Sequence, residues 1–195
     1  MTPLILASGS PRRQEIMGFF DIPIQIEQHQ FDERSLAWEG CGHRYAIDLA
    51  MKKAQEVSSR FAERIVIGAD TIVVLEEQLL HKPRDKQEAF ETIQALSGKW
   101  HHVITGLCVI ADGEVHTASD ETRVWIRDLS DEQIEAYLNL NLWSDKVGGY
   151  AIQRAGSLLV KQIQGCYYNV IGLPVGPLAD LFETIGIDLW HHLRQ

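Results

Sequence analysis

The run Ile65-Val-Ile-Gly68-Ala69-Asp70-Thr71-Ile-Val-Val-Leu75 constrains this chain more than any other stretch, being its most hydrophobic segment and dense in β-branched residues. Such a run reads as a buried strand, and a buried strand needs other elements to cover it. Asp70 interrupts it. An ionised carboxylate in apolar surroundings is costly unless it is paired, hydrogen-bonded or bound to a metal. Asp70 is therefore either a satisfied structural acid or the centre of the chemistry. Gly68 and Ala69 leave space beside it for a ligand, which favours the second reading.

A second stretch has the form of a strand feeding an anion pocket. Leu4-Ile-Leu-Ala passes through Ser8-Gly-Ser10 into Pro11-Arg12-Arg13, the expected start of a helix running to about Phe20. Ser10 is a preferred N-cap type, and Pro11 fits the first helical position, where an N–H would have no intrahelical partner. Two arginines in a first helical turn are unfavourable by about 0.3 to 1 kcal/mol each, because they face the positive end of the helix dipole. A negative ligand removes that conflict. Backbone N–H groups, a hydroxyl from Ser8 or Ser10 and two guanidinium groups suit a phosphate chain; the competing reading is a solvated basic turn.

Charge narrows the classes of partner. Over 195 residues there are 18 Lys and Arg against 27 Asp and Glu, a net charge of −9. That balance disfavours a nucleic-acid surface, and a protein so acidic needs locally concentrated positive charge, or a divalent cation, to hold a polyphosphate. With 45% hydrophobic and 23% charged residues the composition is that of a soluble globular protein. The length suits a single domain over 1–195, with at most two lobes around one core. No stretch approaches the about 20 apolar residues of a membrane span, and no signal-peptide pattern opens the chain, so a cytoplasmic protein is expected. Cys41, Cys108 and Cys166 are widely separated, which indicates neither a disulfide framework nor a zinc site.

Along the chain, Ile22 to Glu27 alternates like a half-buried strand, and Phe31-Asp32-Glu33-Arg34 opens a polar loop in which Glu33 is either a solvated acid or a ligand. Ala46, Leu49, Ala50, Lys53, Ala54 and Val57 recur at helical spacing, so Lys53 lies on an apolar stripe and either snorkels out or reaches a buried anion. Gln78 to Leu80 is a short strand preceding Lys82-Pro83, and Asp85 starts a helix that Gly98 ends. His101 to Ala111 and Glu114 to Ile126 form two strands turned by Asp112-Gly113. Ser130-Asp-Glu-Gln133 has capping-box form. After glycine-rich Gly148-Gly149, Gln153 either reads a base edge or makes a turn hydrogen bond. A last hairpin is expected around Gln164-Gly165, then a closing helix near Gly176 to Ile185 and a peripheral tail, Trp190 to Gln195. Irregular alternation of strands and helices predicts an α/β fold, with a mixed, twisted sheet, flanking helices and a central cleft. Walker A, dinucleotide-fingerprint and nucleophile-elbow patterns are all absent.

With these residues in place, the chain resembles the Maf family of nucleoside triphosphate pyrophosphatases over nearly its whole length. The resemblance rests on Ser8-Gly-Ser10-Pro11-Arg12-Arg13, Asp32-Glu33, Lys53-Ala54, Gly68-Ala69-Asp70-Thr71, Lys82-Pro83, Thr105-Gly106, Gly149-Tyr-Ala-Ile-Gln153 and Asn169-Val-Ile-Gly172-Leu-Pro174, all in the family's order. It implies hydrolysis of a triphosphate to monophosphate and pyrophosphate in a cleft between two lobes, with Mg²⁺ or Mn²⁺. Asp70 would be the base, and Glu33 and Asp70 the metal ligands. Ser8, Arg12, Arg13, Lys53 and Lys82 would bind phosphate, while Thr71 and Gln153 would face the base. Arg12, Thr71 and Gln153 match the branch acting on dTTP and UTP, with modified pyrimidine nucleotides as further candidates. A 7-methyl-GTP specificity and a non-catalytic regulator of septum formation are the alternatives. A homodimer is a family-level expectation. Arg154 departs from the pattern, which usually has Gly there.

Overall fold

Strand β3 (Val66–Leu75) is buried at every residue except the half-buried Thr71 in the computed structural model, which describes residues 2–194. β3 lies inside a seven-stranded sheet of order β2-β1-β3-β5-β6-β7, with β4 (Gln78–Leu80) also paired to β3. β1 (Leu4–Leu6) runs parallel to both β2 (Ile24–Ile26) and β3. β4 is antiparallel to β3, and β7 (Val160–Gln164) is antiparallel to β6 (Glu114–Ile126). β5 (Trp100–Ala111) and β6 are joined by Asp112-Gly113, both at positive φ as a tight hairpin turn requires. The mixed α/β sheet agrees with the expected fold class. Among the described residues no helix is long and apolar enough to cross a membrane.

The chain divides into two compact units. The first contains the residues up to Asp70, Thr105–Asp120, and the chain from Gly172 onward; the second contains Thr71–Ile104 and Glu121–Ile171. In the first unit, α2 (Gly42–Ser58) lays Ala50, Ala54 and Val57 against Ile5, Val66, Cys108 and Ile110. Two glycines permit this close approach. A Cβ on Gly68 would stand 2.3 Å from the Ala50 carbonyl oxygen, and one on Gly106 would stand 2.2 Å from the Ala46 backbone. Helix and strands thus meet backbone to backbone. α1 (Pro11–Met17) follows β1 in this unit, and α6 (Val175–Thr184) lies near its C-terminal end.

In the second unit, α3 (Lys86–Leu96) and α4 (Asp131–Leu138) contribute Ala89, Ile93, Leu96, Ile134, Tyr137 and Leu138 to a core with Val73, Leu75, Val103, Val124 and Ile126. Both helices start where their capping residues require. The Asp85 carboxylate accepts from the Glu88 N–H at 2.8 Å, and Ser130 and Gln133 form a reciprocal capping box.

Two expectations are corrected. Among the described residues no strand follows Gly165; the chain turns at φ 130° into a short helix, α5 (Tyr167–Ile171). The Cys166 N–H donates to Thr122 Oγ1 at 3.0 Å, and the Asn169 amide donates to the Val103 carbonyl and to Thr122 Oγ1, so tertiary hydrogen bonds replace a ladder. The tail is also less peripheral than expected. The Asp21 N–H donates to the His192 carbonyl at 2.6 Å, the Arg194 N–H donates to the Phe19 carbonyl at 3.0 Å, and Leu189 is buried, although Trp190 is 76% exposed. Gln195 lies outside the described residues.

Candidate functional site

Parallel pairing of β1 with β3 sets Leu6 opposite Ile67, so the turn after β1 emerges beside Gly68-Ala69-Asp70. The C-terminal ends of parallel strands are where open α/β sheets commonly bind ligands. The Ala7 N–H donates to the Ile67 carbonyl at 2.8 Å and ties that turn down. Ser8 is buried, and its Oγ accepts from the Ser10 N–H at 3.3 Å and from Arg13 Nη1 at 3.0 Å. Ser10 does sit at the cap of α1, but its hydroxyl makes no capping bond. Of the two candidate hydroxyls, Ser8 is therefore the one directed at the arginine.

Arg13 Nε donates to the Gly172 carbonyl at 2.8 Å. Two fixed acceptors thus aim this guanidinium from within the first turn of α1. Burial lowers its pKa from the ordinary value, the Asp70 charge opposes that effect, and neighbouring Arg12 adds to it. Arg13 thus lies in the fields of two carboxylates, Asp70 and Glu33.

The two carboxylates form a trio with Lys53. Lys53, 4% exposed on the apolar stripe of α2, places Nζ 2.7 Å from Glu33 Oε1 and in a hydrogen bond with Asp70 Oδ1. Asp70 is 8% exposed. Lys53 thus reaches a buried anion instead of snorkelling out. One ammonium shared by two carboxylates lowers the repulsion between them. Glu33 is presented by a 3₁₀ turn, Glu33–Ser35, which Asp32 caps by accepting from the Arg34 N–H at 3.1 Å. Glu33 is thus ion-paired with Lys53 while its side chain stays 47% exposed.

His29 and Tyr45 join this group, although the sequence reading passed over them. His29 Nε2 is 3.8 Å from Glu33 Oε1, and burial, reinforced by the Lys53 charge, lowers its pKa. Tyr45 donates to the Leu36 carbonyl at 3.4 Å, and burial followed by the fields of Asp70 and Glu33 raises its pKa. The His29–Glu33 spacing of four and the place of Tyr45 at the start of α2 were the available signals.

The donor chemistry fits a hard divalent cation. Carboxylate oxygens of Glu33 and Asp70 converge on one nitrogen, and Mg²⁺ is commonly held by one or two carboxylates together with substrate phosphates and water. Among the described residues no group of three His, Cys, Asp or Glu could hold a metal, so this pair would rely on substrate and water for its other ligands.

Thr71, Lys82 and Gln153 belong to the second unit. Thr71 is the accessible position on β3. Lys82 is exposed just after β4, where the His81 carbonyl accepts from the Gly148 N–H at 3.2 Å and a Cβ on Gly149 would lie 3.6 Å from Pro83. A Cβ on Gly148 would also contact Val73, two residues beyond Thr71, at 3.4 Å. The segments bearing Thr71 and Lys82 therefore both touch the glycine pair that leads to Gln153.

A mixed α/β sheet whose strand β3 carries the buried, ion-paired Asp70, with Lys53, Glu33 and an arginine-bearing helix start beside it, sets the class of protein. The chain belongs to the Maf family: the family model described as Maf-like protein matches residues 3–185. It is similar to a dTTP/UTP pyrophosphatase of Pyrococcus abyssi, 48% identical over 92% of this chain and 95% of that one. Proteins of the same name from Pyrococcus furiosus, covering 100% and 99% of the two chains, and Bacillus cereus, covering 98% and 100%, are each 40% identical.

Proposed function

We propose that this protein is a nucleotide pyrophosphatase that hydrolyses dTTP and UTP to the monophosphate and pyrophosphate. The observation that carries this reading is the Asp70–Lys53–Glu33 trio beside Arg13. Full-length relatives with that named activity support it. Water attacks the α phosphorus, its proton passes to Asp70, and the bond to the bridging oxygen breaks so that pyrophosphate leaves. Asp70 orients and deprotonates the water. Ser8, Arg12, Arg13, Lys53 and Lys82 hold the phosphate chain, which makes the β and γ phosphates leave as a unit. Glu33 and Asp70 would hold Mg²⁺ or Mn²⁺, which when bound neutralises phosphate charge and polarises the phosphoryl group. Thr71 and Gln153 face the mixed donor and acceptor edge of thymine or uracil.

The test is turnover across a triphosphate panel with added Mg²⁺ or Mn²⁺. dTTP and UTP are expected to exceed ATP and GTP by about ten- to a hundredfold in kcat/KM. Nucleotide-induced thermal stabilisation without turnover would mark a binder instead. Preference for 7-methyl-GTP would overturn the base assignment.

A further inference from the structure

We propose that Tyr137 and the Tyr150–His101 pair are positioning residues for Gln153, fixing the loop that presents its amide and so setting which pyrimidine the protein accepts. This rests on the base-reading role given to Gln153 above. The loop is held on both sides of that residue. Before it, Tyr150 Oη and His101 Nε2 share a hydrogen bond at 2.6 Å, and their rings meet edge to face with centroids 5.3 Å apart. The Ala151 N–H donates to Tyr137 Oη at 2.9 Å. After it, the Gly156 N–H donates to the Gln153 carbonyl at 3.2 Å, and Ser157 Oγ donates to the Arg154 carbonyl at 2.7 Å. A Cβ on Gly156 would stand 2.0 Å from the Ala151 carbonyl oxygen, so the two ends of the loop lie against each other. Arg154 itself occupies the left-handed region at φ 55°, a conformation unfavourable for a non-glycine residue and retained where surrounding contacts over-determine it.

Packing alone does not explain these anchors. Phenylalanine at 137 or 150 would fill the same core volume without desolvating a hydroxyl. His101 is 0% exposed, and among the described residues its Nδ1 has no hydrogen-bond partner, so the bond to Tyr150 is what offsets the cost of placing an imidazole there. Burial, with a smaller contribution from the His102 charge, holds the His101 pKa down to about 3, so this bond persists unchanged around neutral pH. Fixing the loop matters because uracil and cytosine differ by an exchange of donor and acceptor at adjacent positions of one edge. An amide free to shift or turn over serves either base; a fixed one leaves unpaired groups with the wrong base.

The experiment measures kcat/KM for UTP and CTP in wild type, Tyr137→Phe, Gln153→Ala and the double variant, with melting temperatures recorded alongside. The expected result is a fall of about tenfold in the UTP-to-CTP ratio for Tyr137→Phe, the worth of one hydrogen bond, in a protein that still melts cooperatively. The double variant is expected to show the ratio of Gln153→Ala alone, because the two residues act through one amide. A Tyr137→Phe ratio equal to wild type, or additive losses in the double variant, would overturn the proposal while leaving the Gln153 reading in place. A wild-type ratio in Gln153→Ala would overturn both. If Tyr137→Phe does not fold, Tyr150→Phe carries the same comparison with the same criteria.

Discussion

Asp70, the base of the proposed reaction, is first of all held by structure. Its carboxylate is kept in an apolar strand by the ammonium of Lys53, and that partner is itself shared with Glu33. An amide at position 70 would still accept from Lys53, so Asp70→Asn preserves the local geometry while removing charge and basicity. We expect turnover to drop by about 10² to 10⁴-fold with nucleotide affinity little changed, measured by single-turnover kinetics beside equilibrium binding. Near-normal turnover would remove Asp70 from the chemistry. The buried imidazole of His101 gives a second residue-level prediction, this one about stability. Its folded pKa, about 3, lies below the ordinary 6.5, so the unfolded chain binds the extra proton. The stability this neutral ring contributes is complete above 6.5 and is lost as pH falls toward 3. The slope is about 1.4 kcal/mol per pH unit. In urea titrations between pH 6.5 and 4, His101→Gln is expected to lose stability less steeply than wild type; equal slopes would contradict the assignment.

At the scale of elements, α2 is the part that joins fold to site, because the helix that seals the first unit also carries Lys53. Its approach to β3 and β5 depends on glycine, since a methyl group on Gly106 would meet the backbone of Ala46 and Ile47, which cannot rotate away. Gly106→Ala is expected to cost about 3 kcal/mol and to lower the melting temperature by about 6 to 12 °C. Activity should fall with it as Lys53 is displaced; a wild-type melting temperature would show that α2 has slack. Elements such as α2, α3 and α4 were legible because periodicity and capping are local, and the apolar stripe Ala46, Leu49, Ala50, Lys53, Ala54, Val57 is the buried face found. The short helix after Gly165 was not, because it depends on Thr122 and Val103, far away in sequence. The pairing of Arg194 with Phe19 was hidden for the same reason. Motif reading reached Arg13, Lys53 and Asp70 because each interrupts an apolar pattern or breaks a charge rule, and Ser8 and Glu33 through the turn and the polar loop that carry them. His29 and Tyr45 break no such rule, and their membership comes from the shared field of the trio.

For the whole molecule, charge and chemistry have to be reconciled. A chain of net charge −9 that acts on a polyanion needs its positive groups placed in advance, and the protein's own Gly172 carbonyl and Ser8 hydroxyl fix Arg13. Two carboxylates at the same place are of little use to a simple phosphate binder, which they repel unless a cation intervenes, and so their presence favours hydrolysis over binding alone. The central claim is therefore attack of water on the α phosphorus with pyrophosphate as leaving group, and one measurement addresses it directly. UTP is hydrolysed in ¹⁸O-labelled water with Mg²⁺, and the products are separated and weighed by mass spectrometry. The account predicts UMP carrying one ¹⁸O together with unlabelled pyrophosphate; UDP with labelled orthophosphate, or label in the pyrophosphate, would contradict it.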